Sequence, residues 1–145
     1  VDDDEIAQAI LFLMERGKMV AEGAGAAPVA AIMNRKFDVS GKVAAVISGG
    51  NIDVTMISRI IEKGLLRAGR MTKLRILMQD RPGQLEMASR IIAAEGANVM
   101  VVHHDRTDVD LDIRDAILEI TMETQDREHA QRVIDALRAG GFQVS

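Results

Sequence analysis

The fold turns on QDRPGQLEMASRIIAAEGANVMVVHHD, residues 79–105. This stretch opens with an acid, a proline and a glycine. It then runs into a helical pattern with Leu85, Ala88, Ile91 and Ile92 on one stripe, breaks at Glu95-Gly96-Ala97, and continues in strand formers from Asn98 to His104. Just upstream, Leu74, Ile76 and Met78 alternate with Arg75 and Gln79, the period of a half-buried strand. Downstream, an acidic loop over residues 105–112 leads into a second clean alternation from Ala116 to Met122, with Glu119, Thr121 and Glu123 turned the other way. Ala130, Val133, Ile134 and Leu137 return to helical spacing, Gly140-Gly141 closes that helix, and Phe142 to Val144 makes a last short strand. The order βαββαβ predicts a ferredoxin-like α+β unit, an antiparallel four-stranded sheet with both helices on one face. Its other face must be solvated, liganded or paired with another subunit. The fold by itself assigns no function.

The first half follows a different grammar. Ile6, Ala9, Ile10 and Leu13 recur at helical spacing behind an acidic start, Asp2 to Glu5, that complements the helix dipole, and Gly17 stops the helix. KMVAEGAGAAPVAAI, residues 18–32, reads as a short apolar segment, a small-residue turn at Glu22 to Gly25 and a helix through Ile32. Val43 to Ile47 is continuously apolar, the pattern of a strand covered on both faces in a parallel α/β sheet, and Gly49-Gly50-Asn51 ends it. Val54, Ile57, Ile60, Ile61 and Leu65 form a helical stripe. The expected order is helix, strand, helix, strand, helix. KGLLRAGR, residues 63–70, is basic, carries two glycines and breaks the periodicity, so residues 1–66 are expected as one domain, 67–71 as a linker and 72–145 as a second domain.

A chain of 145 residues with 48% hydrophobic and 28% charged residues has a globular composition. A net charge of -4 and only three aromatic residues, all Phe, disfavour nucleic acid, which needs a basic face and stacking platforms. Cysteine is absent, and no apolar run approaches the roughly 20 residues of a membrane span. Together with an acidic start this predicts a soluble, cytoplasmic protein.

In DRPGQL, Gly83 permits close backbone approach where the N–H groups of the next helix point outward. A ligand carboxylate could rest on them while Asp80 takes an ammonium, and together they would hold a free amino acid. Alternatively Asp80 caps the helix, Pro82 occupies its first turn and Gly83 is turn chemistry. Asn98 offers a side-chain amide to the same ligand if a second chain or the neighbouring strand brings it close; otherwise it is a turn residue. His103 and His104 point to opposite faces of a strand and cannot share a metal. Asp105, Asp108, Asp110 and Asp112 lack the spacing of a calcium loop and read as solvated charge. ISGGN, residues 47–51, places a hydroxyl at the carboxyl end of a buried strand, where open α/β sheets bind ligands, or else is a strand-ending turn.

Read together, MVAEGAGAAPVAAI and VAAVISGGNIDVTMISRII resemble the C-terminal end of the catalytic domain of threonine dehydratase (threonine ammonia-lyase), a fold-type II pyridoxal-phosphate family. The βαββαβ module with MQDRPGQL and EGANV resembles an ACT domain, an amino-acid-binding regulatory module. The resemblance implies that Ser48 meets the pyridine nitrogen of pyridoxal phosphate as a neutral partner, that Glu22 and Gly23 line its pocket, and that Gly49, Gly50 and Asn51 shape the turn beside the ring. It implies an effector site between subunits, with Met78, Asp80, Pro82, Gly83 and Asn98 as its candidates, and isoleucine, valine, threonine or serine as ligands. It also implies a homo-oligomer formed through the ACT domain, and a role in isoleucine biosynthesis. The family's Schiff-base lysine and glycine-rich phosphate loop have no counterpart in these residues. The chain is therefore expected to be a C-terminal fragment lacking its N-terminal catalytic portion, with no catalytic residue of its own, no bound cofactor and no activity alone. Residues up to about Leu66 are expected to be less protected than the rest, or to bury their stripes in an oligomer. The alternative is a stand-alone amino-acid-binding or dimerisation module without catalysis.

Overall fold

A computed structural model describes residues 1–38, 40–107 and 111–145. The chain divides into two compact units, Val1–Gly64 and Leu65–Ser145.

In the first unit, α1 (Asp3–Phe12) starts at a reciprocal cap. The Asp2 carboxylate accepts from the Glu5 amide at 2.8 Å and the Glu5 carboxylate accepts from the Asp2 amide at 2.9 Å. One π turn, Leu13–Gly17, extends α1 to the expected glycine, after which Lys18 turns left-handed. The next helix, α2 (Gly23–Met33), begins at Glu22, so the turn expected over Glu22 to Gly25 is instead the first turn of a helix. The stripes of α1 and α2 meet at Ala9, Ile10, Leu13, Ala26 and Ala30, and Ile60 of α3 (Val54–Ala68) joins them. The two strands expected here do not form among the described residues. Val43 to Ile47 pairs with nothing, and Val46 is 77% exposed. A strand is a partnership, because its N–H and C=O groups need neighbouring strands, and no other segment among the described residues of this unit supplies one. The break in periodicity over residues 63–70 likewise does not interrupt the helix, for α3 continues through Gly64 to Ala68.

The second unit has the expected order: β1 (Met71–Gln79), α4 (Gln84–Ala94), β2 (Asn98–Asp105), β3 (Asp115–Glu123), α5 (Arg127–Ala139) and β4 (Gln143–Val144). The sheet runs β2-β3-β1-β4, all neighbours antiparallel. Strand alternation sends Leu74, Ile76 and Met78 of β1 and Leu118, Ile120 and Met122 of β3 to one face. There they pack with Ala88 and Ile92 of α4 and Val133 and Leu137 of α5. Each such buried aliphatic side chain contributes about 1.5–3 kcal/mol. The opposite face is less polar than alternation alone predicts, because Ile117 is buried there beside Leu77 and Leu111, in a depression of about 390 Å³. Residues 79–105 thus become the end of β1, a glycine turn, α4 and all of β2.

Candidate functional site

The five residues expected to hold an effector separate into two groups. At the carboxyl end of β1, Asp80 Oδ1 pairs with Arg106 Nη2 at 3.2 Å and lies 4.0 Å from His104 Nε2. Gly83, at φ +91°, is the N-cap of α4, and no side chain caps that helix. Asp80 is therefore not the helix cap, and Pro82 precedes the first turn rather than occupying it. This leaves an uncapped helix start beside an acid and an arginine. Gly83 is needed for its backbone angle, since a Cβ there would meet nothing within 4 Å. Met78 turns the other way: it is 6% exposed and belongs to the hydrophobic core, so it supports the site from beneath.

Asn98 lies at the far end of the sheet. It pairs with Glu123 in register, as does Met71 from the other side, whereas Asp80 follows Gln79. Eight residues along β1 separate the two levels, about 26 Å of strand. One chain therefore cannot place Asp80 and Asn98 on one amino acid. The Asn98 amide donates instead to Glu123 Oε2 at 3.0 Å. Arg106 and Glu123 were not singled out from the sequence. Arg106 could have been found as the first cation after a strand end, but Glu123 is marked only by strand register.

In the first unit, Glu22, Gly23 and Asn51 line a cavity of about 520 Å³ with Asp3, Ile6, Ala7, Ile10 and Asp53 among its walls. Ser48, Gly49 and Gly50 lie on the loop that closes against the start of α2. The Glu22 amide donates to the Gly49 carbonyl at 3.1 Å. A Cβ on Gly25 would strike the Ser48 carbonyl, and one on Gly49, at φ +73°, would stand 2.5 Å from the Glu22 carboxylate. Residues 20–25 and 48–51, remote in sequence, are thus one structure. Asp53 accepts from the Thr55 hydroxyl at 2.6 Å and the Thr55 amide at 2.7 Å, bonds that hold its carboxyl below the usual range. Among the described residues no group of three or more His, Cys, Asp or Glu could hold a metal, and no helix is long and apolar enough to cross a membrane. Asp108 and Asp110 of the acidic loop lie outside the described residues.

A split βαββαβ sheet with both helices on one face defines a ferredoxin-like α+β module, here with an open helix start beside Asp80 and Arg106. The ACT domain family model matches residues 68–140, and the chain belongs to that family. It is 50% identical over 99% of its length to an L-threonine ammonia-lyase of Thermotoga maritima and 46% identical, over the same share, to that of Geobacter sulfurreducens. The chain spans 36% of the length of each. Among solved structures, the ACT domain of a GTP pyrophosphokinase from Chlorobium tepidum aligns with 52% of this chain and 94% of its own, at a TM-score of 0.42 and 16% identity.

Proposed function

We propose that this chain is the regulatory end of a pyridoxal-phosphate-dependent threonine ammonia-lyase, which converts threonine to 2-oxobutanoate and ammonia. Residues 72–145 would form the amino-acid sensor, and residues 1–66 the close of the catalytic domain. The observation that carries this reading is likeness across both units to two proteins named L-threonine ammonia-lyase, combined with an ACT match confined to the second. The exposed Val43, Val46 and Val54 of the first unit support it, since they have the character of strand and helix faces that a larger α/β domain covers.

The effector site in this reading is made by two copies. β2 is an edge strand, with Met100 47% and Val101 43% exposed. Antiparallel pairing of β2 with its counterpart about a two-fold axis near Val101 and Val102 sets Asn98 of one copy opposite Asp105 of the other, next to Arg106 and Asp80. An isoleucine, valine, threonine or serine would then insert between Asp80 and Arg106. Its ammonium would go to the first, its carboxylate to the second and to the α4 amides, and the partner's amide would complete the ring of contacts.

In this reading the first unit would form one wall of a pyridoxal-phosphate site. Gly25 and Gly49 let the two loops close to a distance a Cβ would forbid, which holds Ser48 at the loop end and Glu22 beside it. Ser48 would face the pyridine nitrogen as a neutral hydroxyl, with Glu22 and Gly23 along the ring and Gly49, Gly50 and Asn51 forming the turn. The cofactor, when bound, supplies the electron sink for β-elimination.

Isothermal titration of the four amino acids into the chain tests the sensor. At least one should bind, and Asn98→Ala should weaken it by about tenfold, or 1.4 kcal/mol. Silence with all four, together with an unregulated full-length enzyme, would reject the reading.

A further inference from the structure

The turn between β3 and α5 concentrates the buried polar chemistry of the protein. Thr124, 8% exposed, and His129, 1% exposed, are the two buried polar side chains among the described residues; Thr124 lies in this turn and His129 in the first turn of α5 that follows it. Each is committed to a backbone carbonyl from another element. The Thr124 hydroxyl donates to the Gly69 carbonyl at 2.5 Å, and the Thr72 hydroxyl, 3.1 Å away, must then donate to Thr124. His129 Nδ1 accepts from the Gln125 amide at 3.1 Å, so its proton sits on Nε2 and is donated to the Glu95 carbonyl at 2.8 Å. The His129 side anchors the turn to the end of α4. The Thr124 side grips the end of α3.

That grip has further parts. The Arg127 guanidinium donates to the Arg67 carbonyl through Nε at 3.2 Å and Nη2 at 2.6 Å. The Thr124 amide donates to the Arg70 carbonyl at 3.0 Å. Gly69 closes the helix at φ +70°, with its amide on Leu66 and the Arg70 amide on Leu65. A Cβ on Gly69 would come within 2.6 Å of the Arg127 nitrogen, so glycine serves both the angle and the contact. The Arg67 carbonyl in the last turn of α3 is thus held by the start of α5, and the Gly69 and Arg70 carbonyls just beyond the helix are held by Thr124.

Glu123, whose carboxylate receives the Asn98 amide, is covalently next to Thr124. We infer that Glu123-Thr124 is a positioning relay: release of Asn98 from Glu123 shifts the β3 end, and Thr124 passes that shift to the Gly69 cap and the last turn of α3. The ligand part of this inference rests on the reading of Asn98 as an effector contact. Two states are defined by named bonds, Asn98 on Glu123 or Asn98 on a ligand, and differential binding to them is what a coupling free energy requires. Because α3 ends at Ala68, directly before this cap, a change in how its end is capped acts on its last turn.

Amide exchange at Gly69 and Arg70, followed by NMR in the 145-residue chain without ligand, tests the relay as a double-mutant cycle. Asn98→Ala should accelerate both amides by about threefold, Thr124→Val should do so by more, and the double variant should exchange no faster than Thr124→Val alone. Thr124→Ser keeps the hydroxyl and should restore the wild-type response to Asn98→Ala. Additive effects, or no response of these amides to Asn98→Ala, would overturn the relay. With an amino acid bound, Thr124→Val should retain affinity within about twofold yet lose the ligand-dependent change at Gly69 and Arg70. Retention of that change in Thr124→Val would also overturn it. If no amino acid binds, the effector reading falls and the ligand-free cycle alone decides the relay.

Discussion

Gly25 matters for the space it leaves, not for backbone freedom. It is a glycine whose Cβ position is already occupied by the Ser48 carbonyl, in a helix where alanine would otherwise be preferred. Gly25→Ala should therefore cost about 2 kcal/mol, the size of an overpacking strain, read as a lower denaturant midpoint for exchange of the first unit's amides with the second unit unchanged. Glu5 and Lys36 make a different kind of contact, a 2.7 Å ion pair on the same unit. Lys36 and the Asp2 amide hold the Glu5 carboxyl below its usual range, and Glu5 raises Lys36 above its own. The Glu5 contribution to stability is present above the ordinary carboxylate range and lost as pH falls through its lowered folded value. The Lys36 contribution is present below the ordinary lysine range and lost as pH rises through its raised value. In Lys36→Met the Glu5 titration, followed by carboxyl carbon NMR, should move up towards the ordinary value.

At the scale of elements, α5 has an apolar stripe but also depends on its start. Asp126 accepts from the His129 amide at 2.8 Å, an N-cap on the helix whose Val133 and Leu137 close the core. Asp126→Ala should lower stability by about 1 kcal/mol with an unchanged denaturant slope, measured by urea unfolding. The β2 strand is open to partnership, since among the described residues one of its sides has no neighbouring strand and its side chains are largely exposed. If two copies pair there, Met100→Lys with Val101→Lys brings like charges together across the two-fold. The dimer dissociation constant should rise by about tenfold or more in sedimentation equilibrium. An assembly indifferent to both substitutions would move the dimer interface elsewhere and take the two-copy effector site with it.

For the whole molecule, the contrast between the units is a contrast in who supplies the partners. The described residues of the second unit form four strands and two helices, with the end of α3 before them, whose apolar faces satisfy one another, so their periodicities alone announced the βαββαβ order, its core positions and its glycine turns. Residues 1–66 carry equally clear stripes, but Val43 to Ile47 has strand chemistry without a strand to pair with, and extended backbone cannot be read as a sheet from one segment. The same division holds for the sites. Side-chain type and spacing marked Asp80, Gly83, Asn98 and Ser48, because acids, amides, hydroxyls and glycines at element ends are local signals, whereas Glu22 was marked only by the family resemblance. Distance is not local. Only the folded chain showed that Asp80 is bound to Arg106, that Asn98 stands at the other end of the sheet on Glu123, and that Met78 faces inward. The sequence by itself determined which segments are helix and strand in the ACT domain and where its polar candidates stand along the chain, since both follow from short-range periodicity. Tertiary structure alone decided which of those candidates can meet, because register and crossover connections set separations that no residue spacing encodes.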